Sequence, residues 1–128
     1  MVRETIFSED EERRYRYVLW RSWGEGEAPP YALFIGLNPS TADEVKNDPT
    51  VTREVNFAKE WGYGAYCKVN LFAFRATDPK EMRRYPAPKG PYNDNWIMNV
   101  AEEAQVIVCA WGSHGTHNRR DLSVMKRL

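Results

Sequence analysis

The chain has 128 residues, of which 42% are hydrophobic, and its 18 Lys and Arg balance 18 Asp and Glu. This length can bury one core of its own, so we expect a single α/β domain over residues 1–128. Zero net charge argues against tight, non-specific binding to duplex DNA, because phosphate neutralisation supplies most of that affinity. We interpret the short basic groups, such as residues 13–16, as solvated faces.

The two cysteines indicate a reducing compartment. Cys67 and Cys109 both lie inside apolar runs, which predicts buried free thiols. No Cys or His pair has the spacing of metal ligands, so we expect neither a metal site nor a cofactor. Residues 1–12 are polar and acidic, unlike a signal peptide, and no apolar run approaches the length of a membrane span. We therefore expect a cytoplasmic protein with no membrane partner.

The hydrophobic pattern alternates between strands and helices. Residues 15–23, aromatic and basic, predict an edge strand, and near-continuous apolar runs predict buried strands at 31–35, 65–72 and 106–111. A helical pattern begins near Asp48, with Thr50 or Thr52 as its cap and Gly62 at its end. Further helices are predicted at 93–104 and 121–128, and a polar loop at 75–91. This alternation of strands and helices is typical of an α/β fold with right-handed crossovers.

Small and polar residues follow each of the three apolar strands. Residues 36–41 read GLNPST, residues 70–79 read NLFAFRATDP and residues 111–115 read WGSHG. Ligands of α/β sheets bind beyond the carboxyl ends of the strands. The sequence therefore predicts one composite site built from these three stretches.

The order of these stretches resembles the uracil-DNA glycosylase superfamily. GLNP at 36–39 is similar to its Gly-x-(Asp or Asn)-Pro motif, VNLFAFRA at 69–76 to its Asn-containing strand end, and WGSH at 111–114 to a later motif. The resemblance implies a three-layer α/β/α sandwich with a mainly parallel central sheet. It also implies that Asn70 reads a pyrimidine edge. The glycosylases end with a His-Pro motif that this chain lacks, so we expect its last strand to be missing through C-terminal truncation.

A closer resemblance is to the domain-of-unknown-function family 1643. Its pattern is carried here by IGLNPSTA at 35–42, DPT at 48–50, NLFAFRATDP at 70–79 and AWGSHG at 110–115. The resemblance covers residues 15–120, nearly the whole chain. It implies membership of a family to which no activity is assigned.

Each candidate residue also has an ordinary structural role. Asn38 is interpreted as a water-positioning residue, or as a turn residue that bonds its own backbone. Asn70 offers an acceptor and two donors to a base, or ties a loop to the sheet. Phe72 would stack on a base or lie in the core. Arg75, with Thr77 and Asp78, would bind phosphate or form an ion pair with Asp78 or Asp48.

We therefore expect recognition of a nucleobase, a nucleotide or single-stranded nucleic acid, with hydrolysis of an N-glycosidic bond. The predicted catalytic residue is Asn38, and the predicted ligand-binding residues are Gly36, Leu37, Pro39, Ser40, Asn70, Phe72, Arg75, Trp111, Gly112, Ser113 and His114. Backbone amides after the third apolar strand would favour negative charge on the departing base. The alternative is a non-catalytic ligand- or protein-binding module with a degenerate active site.

Overall fold

A five-stranded mixed sheet forms the centre of the computed structural model, which describes residues 1–26 and 28–128. The strands are β1 (Val2–Phe7), β2 (Arg16–Ser22), β3 (Tyr31–Gly36), β4 (Ala65–Asn70) and β5 (Val106–Cys109), in the spatial order β1-β2-β4-β3-β5. The helices are α1 (Pro49–Glu60), α2 (Pro79–Arg84), α3 (Asn93–Glu102) and α4 (Arg120–Met125), with 3-10 turns over Ser113–Arg119.

The α/β class is confirmed, but the sheet is mixed rather than mainly parallel. The three predicted apolar runs form β3, β4 and β5, and β3 pairs in parallel with both others. β2 is antiparallel to β4, and β1 is antiparallel to β2. The expectation that residues 15–23 form the edge strand is wrong, because β1 covers that side of β2. β1 is largely exposed and carries charges, so it has no apolar signal in the sequence.

Side chains of the central strands alternate between two hydrophobic clusters, as the pleat of a strand requires. On one face, Leu33, Ile35 and Val69 belong to a cluster that includes Ile97 of α3 and Val124 of α4. On the other face, Ala32, Phe34 and Tyr66 pack with residues of α1, namely Val51, Val55 and Ala58. Helices therefore contact both faces of the sheet. The glycosylase-like three-layer arrangement stays a prediction.

The cap of α1 is Asp48, and neither Thr50 nor Thr52. The Asp48 carboxylate accepts a hydrogen bond from the backbone N–H of Val51 at 2.8 Å, which satisfies one donor of the first helical turn. The helix ends as predicted before Gly62, whose φ of +85° favours glycine.

Two further features differ from the expectations. The predicted polar loop contains α2, whose N-terminal cap is Asp78. The prediction that Cys109 is buried is wrong, because β5 is an edge strand and this residue is exposed, whereas Cys67 is buried in β4. Among the described residues, no helix has the length and apolar character needed to cross a membrane.

Candidate binding site at the strand ends

A cavity of about 210 Å³ lies at the carboxyl ends of β3 and β4, beside the first turn of α1. The residues that line it are Arg16, Gly36, Leu37, Asn38, Ser40, Asp48, Thr50, Val51, Lys68, Asn70 and Ala110. Five of the predicted site residues are therefore brought together here: Gly36, Leu37, Asn38, Ser40 and Asn70. Parallel pairing of β3 with β4 explains this, because it places Gly36 beside Asn70.

Gly36 is required by close packing of two side chains across it. A Cβ atom at this position would lie 2.7 Å from the Oδ1 atom of Asn70 and 2.7 Å from the Nζ atom of Lys68. The absent side chain lets both polar groups of β4 cross the end of β3. This explains why the apolar strand ends in glycine before the NPST segment.

The side-chain amide of Asn70 is buried and has no hydrogen-bond partner among the described residues. The residue is 1% exposed, and neither its side-chain nitrogen nor its side-chain oxygen has a partner within the described part of the chain. Its backbone is held, because the Nδ2 atom of Asn93 donates to the carbonyl of Asn70 at 2.8 Å and to that of Leu71 at 3.1 Å. Buried amide atoms normally have partners, so this side chain is available to a ligand.

A buried ion pair lies next to Asn70. The Nζ atom of Lys68 donates to both carboxylate oxygens of Glu54, at 2.7 and 3.0 Å, and the Tyr66 hydroxyl donates to the first at 2.6 Å. Burial lowers the pKa of Lys68, although the Glu54 carboxylate acts in the opposite direction. Burial, followed by the Glu54 charge, raises the pKa of Tyr66 well above its ordinary value. This network holds an ammonium group at the cavity wall.

Arg16 adds a second buried cation. It begins β2, whose antiparallel course brings its first residue to the edge where β4 ends. The guanidinium donates to the carbonyl of Ala42 at 3.0 Å, and its Nε atom has no partner among the described residues. Burial lowers the pKa of Arg16 to about 10. The interpretation of residues 13–16 as a solvated face is therefore wrong for Arg16.

Asn38 has a fixed orientation at the cavity. Its Nδ2 atom donates to the carbonyl of Ala76 at 2.8 Å and to that of Pro39 at 3.2 Å. Both amide protons thus have protein acceptors, and the Oδ1 atom is the part of the side chain left to accept a hydrogen bond from a ligand or a water.

The other predicted site residues lie elsewhere. Phe72 is buried against His117, at 5.6 Å between ring centroids, and lines a separate cavity beside α4. Arg75 lines a groove that adjoins the strand-end cavity, and forms no ion pair with Asp78 or Asp48. Pro39 is buried, Trp111 is half-buried, and Gly112, Ser113 and His114 are exposed, without lining the cavity.

Sequence reasoning missed the charged part of the site. Lys68 interrupts the apolar run of β4. Glu54 interrupts the apolar face of α1, which is formed by Val51, Val55 and Ala58. A charged residue inside an apolar pattern is almost always paired, so these two interruptions were the available signal. As to metals, the described residues contain no group of three or more His, Cys, Asp or Glu side chains that could hold an ion.

Comparison with known proteins is informative at the level of the family. The sequence model of a family described as "Protein of unknown function (DUF1643)" matches residues 16–128. The chain belongs to the DUF1643 family. No curated protein and no solved structure matches it. The residues of the strand-end cavity all lie inside the part that matches DUF1643.

Proposed function

We propose that the chain binds a nucleobase or nucleotide in the strand-end cavity, with Asn70 contacting the base. The observation that carries this proposal is the amide of Asn70, which lines the cavity while both of its polar atoms lack a partner among the described residues. A buried amide left unpaired costs about 1–3 kcal/mol. A ligand with a donor and an acceptor on one edge, as a pyrimidine has, would satisfy both atoms.

The charges around the cavity favour a ligand whose buried part is neutral. Two cations, Arg16 and Lys68, lie with two carboxylates, Glu54 and Asp48, so the local formal charge is balanced. A fully charged group would disturb this balance among side chains that are mostly buried. A base is polar, flat and uncharged, and fits these conditions.

Hydrolysis of an N-glycosidic bond is the reaction that we propose for this site, in line with the uracil-DNA glycosylase resemblance. The oriented Oδ1 atom of Asn38 would hold the attacking water. Negative charge would develop on the departing base, and the buried guanidinium of Arg16, which forms no salt bridge within the described part of the chain, would stabilise it in a low-dielectric surrounding. An amide is a weak base, so Asn38 would position the water rather than remove its proton. The water oxygen would bond to the sugar carbon as the bond from that carbon to the base nitrogen breaks, and the proton of the water would pass to the departing base.

A non-catalytic binding module is the second candidate, and the state of the two carboxylates favours it. Asp48 caps α1 through its Oδ1 atom, and Glu54 is held by Lys68 and Tyr66. Each of the two acids near the cavity therefore already has a structural partner, and this disfavours a role as general base. This candidate shares the binding site with the first and differs only in the chemistry.

An NMR titration tests the binding proposal. Uracil, thymine and uridine are added to the chain, and we expect amide shifts at residues 36–38, 68–70 and 110. The Asn70→Ala variant should lose these shifts and keep its stability, because the removed groups have no protein partner. Asn95→Ala, an exposed change on α3, is the matched control and should bind normally. Absence of shifts with every base and nucleoside would refute the proposal.

Excision assays separate the two candidates once binding is observed. We expect release of a free base from uracil-containing single strands, with the rate lowered about 100-fold or more in Asn38→Ala while binding persists. Binding without any release of base would refute the proposed hydrolysis and support the non-catalytic binding module.

A further inference from the structure

A second groove adjoins the strand-end cavity. It has a volume of about 360 Å³, and Ser40 lines both spaces. The residues that line it are Glu12, Arg13, Arg14, Ser40, Phe74, Arg75, Ala76, Thr77 and Glu81. Its three arginines outnumber its two glutamates, so the groove carries an excess of positive charge, unlike the balanced cavity beside it.

Arg75 is the arginine of this groove that has no carboxylate partner among the described residues. Arg13 pairs with Glu44 at 3.0 Å, and Arg14 pairs with Glu12 at 3.3 Å. The Nη1 atom of Arg75 donates instead to the carbonyl of Arg13 at 3.3 Å, and its Nε atom has no partner in the part of the chain that the structure describes. The Nε atom is buried, whereas the Nη2 atom is not among the buried atoms and also has no hydrogen-bond partner in the described residues, so Nη2 is the donor left for a ligand.

The Arg75 guanidinium is held in place by an aromatic ring. It lies 4.8 Å from the centroid of Phe7, whose ring also contacts the guanidinium of Arg13 at 3.8 Å. Stacking on an aromatic face orients the planar group, and it reduces the entropy that binding would cost. Arg75 also lies close enough to Arg16 for their positive charges to repel. This repulsion lowers the pKa of Arg16, although burial is the larger cause.

We propose that this groove is a phosphate subsite and that the ligand of the chain is a nucleoside phosphate rather than a free base. The inference rests on the proposed function, since the base of that ligand would occupy the strand-end cavity. Its phosphate would lie past Ser40, where the forked donors of Arg75 match phosphate oxygens. A free nucleotide and a single strand present the same phosphate chemistry to this groove.

Isothermal titration calorimetry at low salt measures the affinity of the chain for five compounds. These are uridine, uridine 5′-monophosphate, uridine 3′-monophosphate, a uridine dinucleotide and inorganic phosphate. We expect at least one monophosphate to bind about 10- to 100-fold more tightly than uridine, as for hydrogen bonds to a charged group. The gain should vanish in Arg75→Gln and fall with added salt, while uridine binds this variant normally. Arg53→Gln, an exposed change on α1, is the matched control and should retain the gain.

The outcomes separate this inference from the proposed function. Equal binding of uridine and both monophosphates, or a gain that survives in Arg75→Gln, would overturn the phosphate subsite and leave the base site in place. If inorganic phosphate binds in a way that depends on Arg75 and uridine does not bind, the phosphate subsite would be supported and the proposed base site would be refuted. A dinucleotide that binds more tightly than either monophosphate would assign the ligand to single strands, and the reverse order to free nucleotides. Circular dichroism and the Arg75→Lys variant, which keeps the charge without the fork, show whether loss of binding reflects loss of fold.

Discussion

Removal of Lys68 alone should destabilise the fold strongly, because it would leave the Glu54 carboxylate buried without its cation. The side chains of Lys68 and Glu54 are only 7% and 8% exposed, and the closest N–O distance is 2.7 Å. At an effective dielectric constant of about 20, two unit charges at this distance attract by about 6 kcal/mol. Desolvation offsets much of that attraction, so we expect Lys68→Met to lower the free energy of unfolding by about 3–5 kcal/mol.

The double variant Lys68→Met/Glu54→Gln is the informative comparison. It removes both charges, and the Tyr66 hydroxyl can still donate to the amide oxygen that replaces the carboxylate. We expect its stability to lie within about 1 kcal/mol of the wild-type protein, since replacing a whole buried pair is often neutral. Urea unfolding followed by circular dichroism measures both variants. A single variant as stable as wild type, or a double variant as unstable as the single one, would refute the reasoning.

Three further predictions concern the sheet. At neutral pH a thiol reagent should modify Cys109 in the native protein and reach Cys67 only on unfolding, because one is exposed and the other buried. Burial raises the pKa of Cys67 from 9.0 to about 12. Above pH 9 the unfolded thiol loses its proton while the folded one keeps it, so stability should fall more steeply than in Cys67→Ala, by about 1.4 kcal/mol per pH unit at most. Parallel pH profiles for the two proteins would contradict this. Gly36→Ala should cost about 1–3 kcal/mol and displace Asn70, since the new Cβ meets the Asn70 amide and a Lys68 side chain that Glu54 holds in place. Thermal unfolding and the base titration measure the two effects, and an unchanged variant would show that the β3–β4 contact is looser than described.

The sequence by itself determined the parts of this protein that depend on local pattern. Continuous apolar runs are visible without a structure, and they became β3, β4 and β5 with small shifts in their ends. The end of α1 just before Gly62 follows from local backbone chemistry. The rule that ligands of α/β sheets bind beyond the carboxyl ends of the strands brought Gly36, Asn38 and Asn70 into one prediction, and the structure places them around one cavity.

The tertiary structure decided everything that depends on which segments meet. β1 is a strand only because it pairs with β2, and its exposed residues carry no apolar pattern of their own. Arg16 resembles its charged neighbours in the sequence, yet the antiparallel course of β2 buries it at the site. Phe72 and Asn70 are two residues apart, but they line different cavities, because the chain leaves the strand after Asn70. The pairing of Lys68 with Glu54 joins β4 to α1 over fourteen residues of sequence. A local pattern cannot specify such contacts, since their free energy comes from the desolvation and charge of partners that only folding brings together.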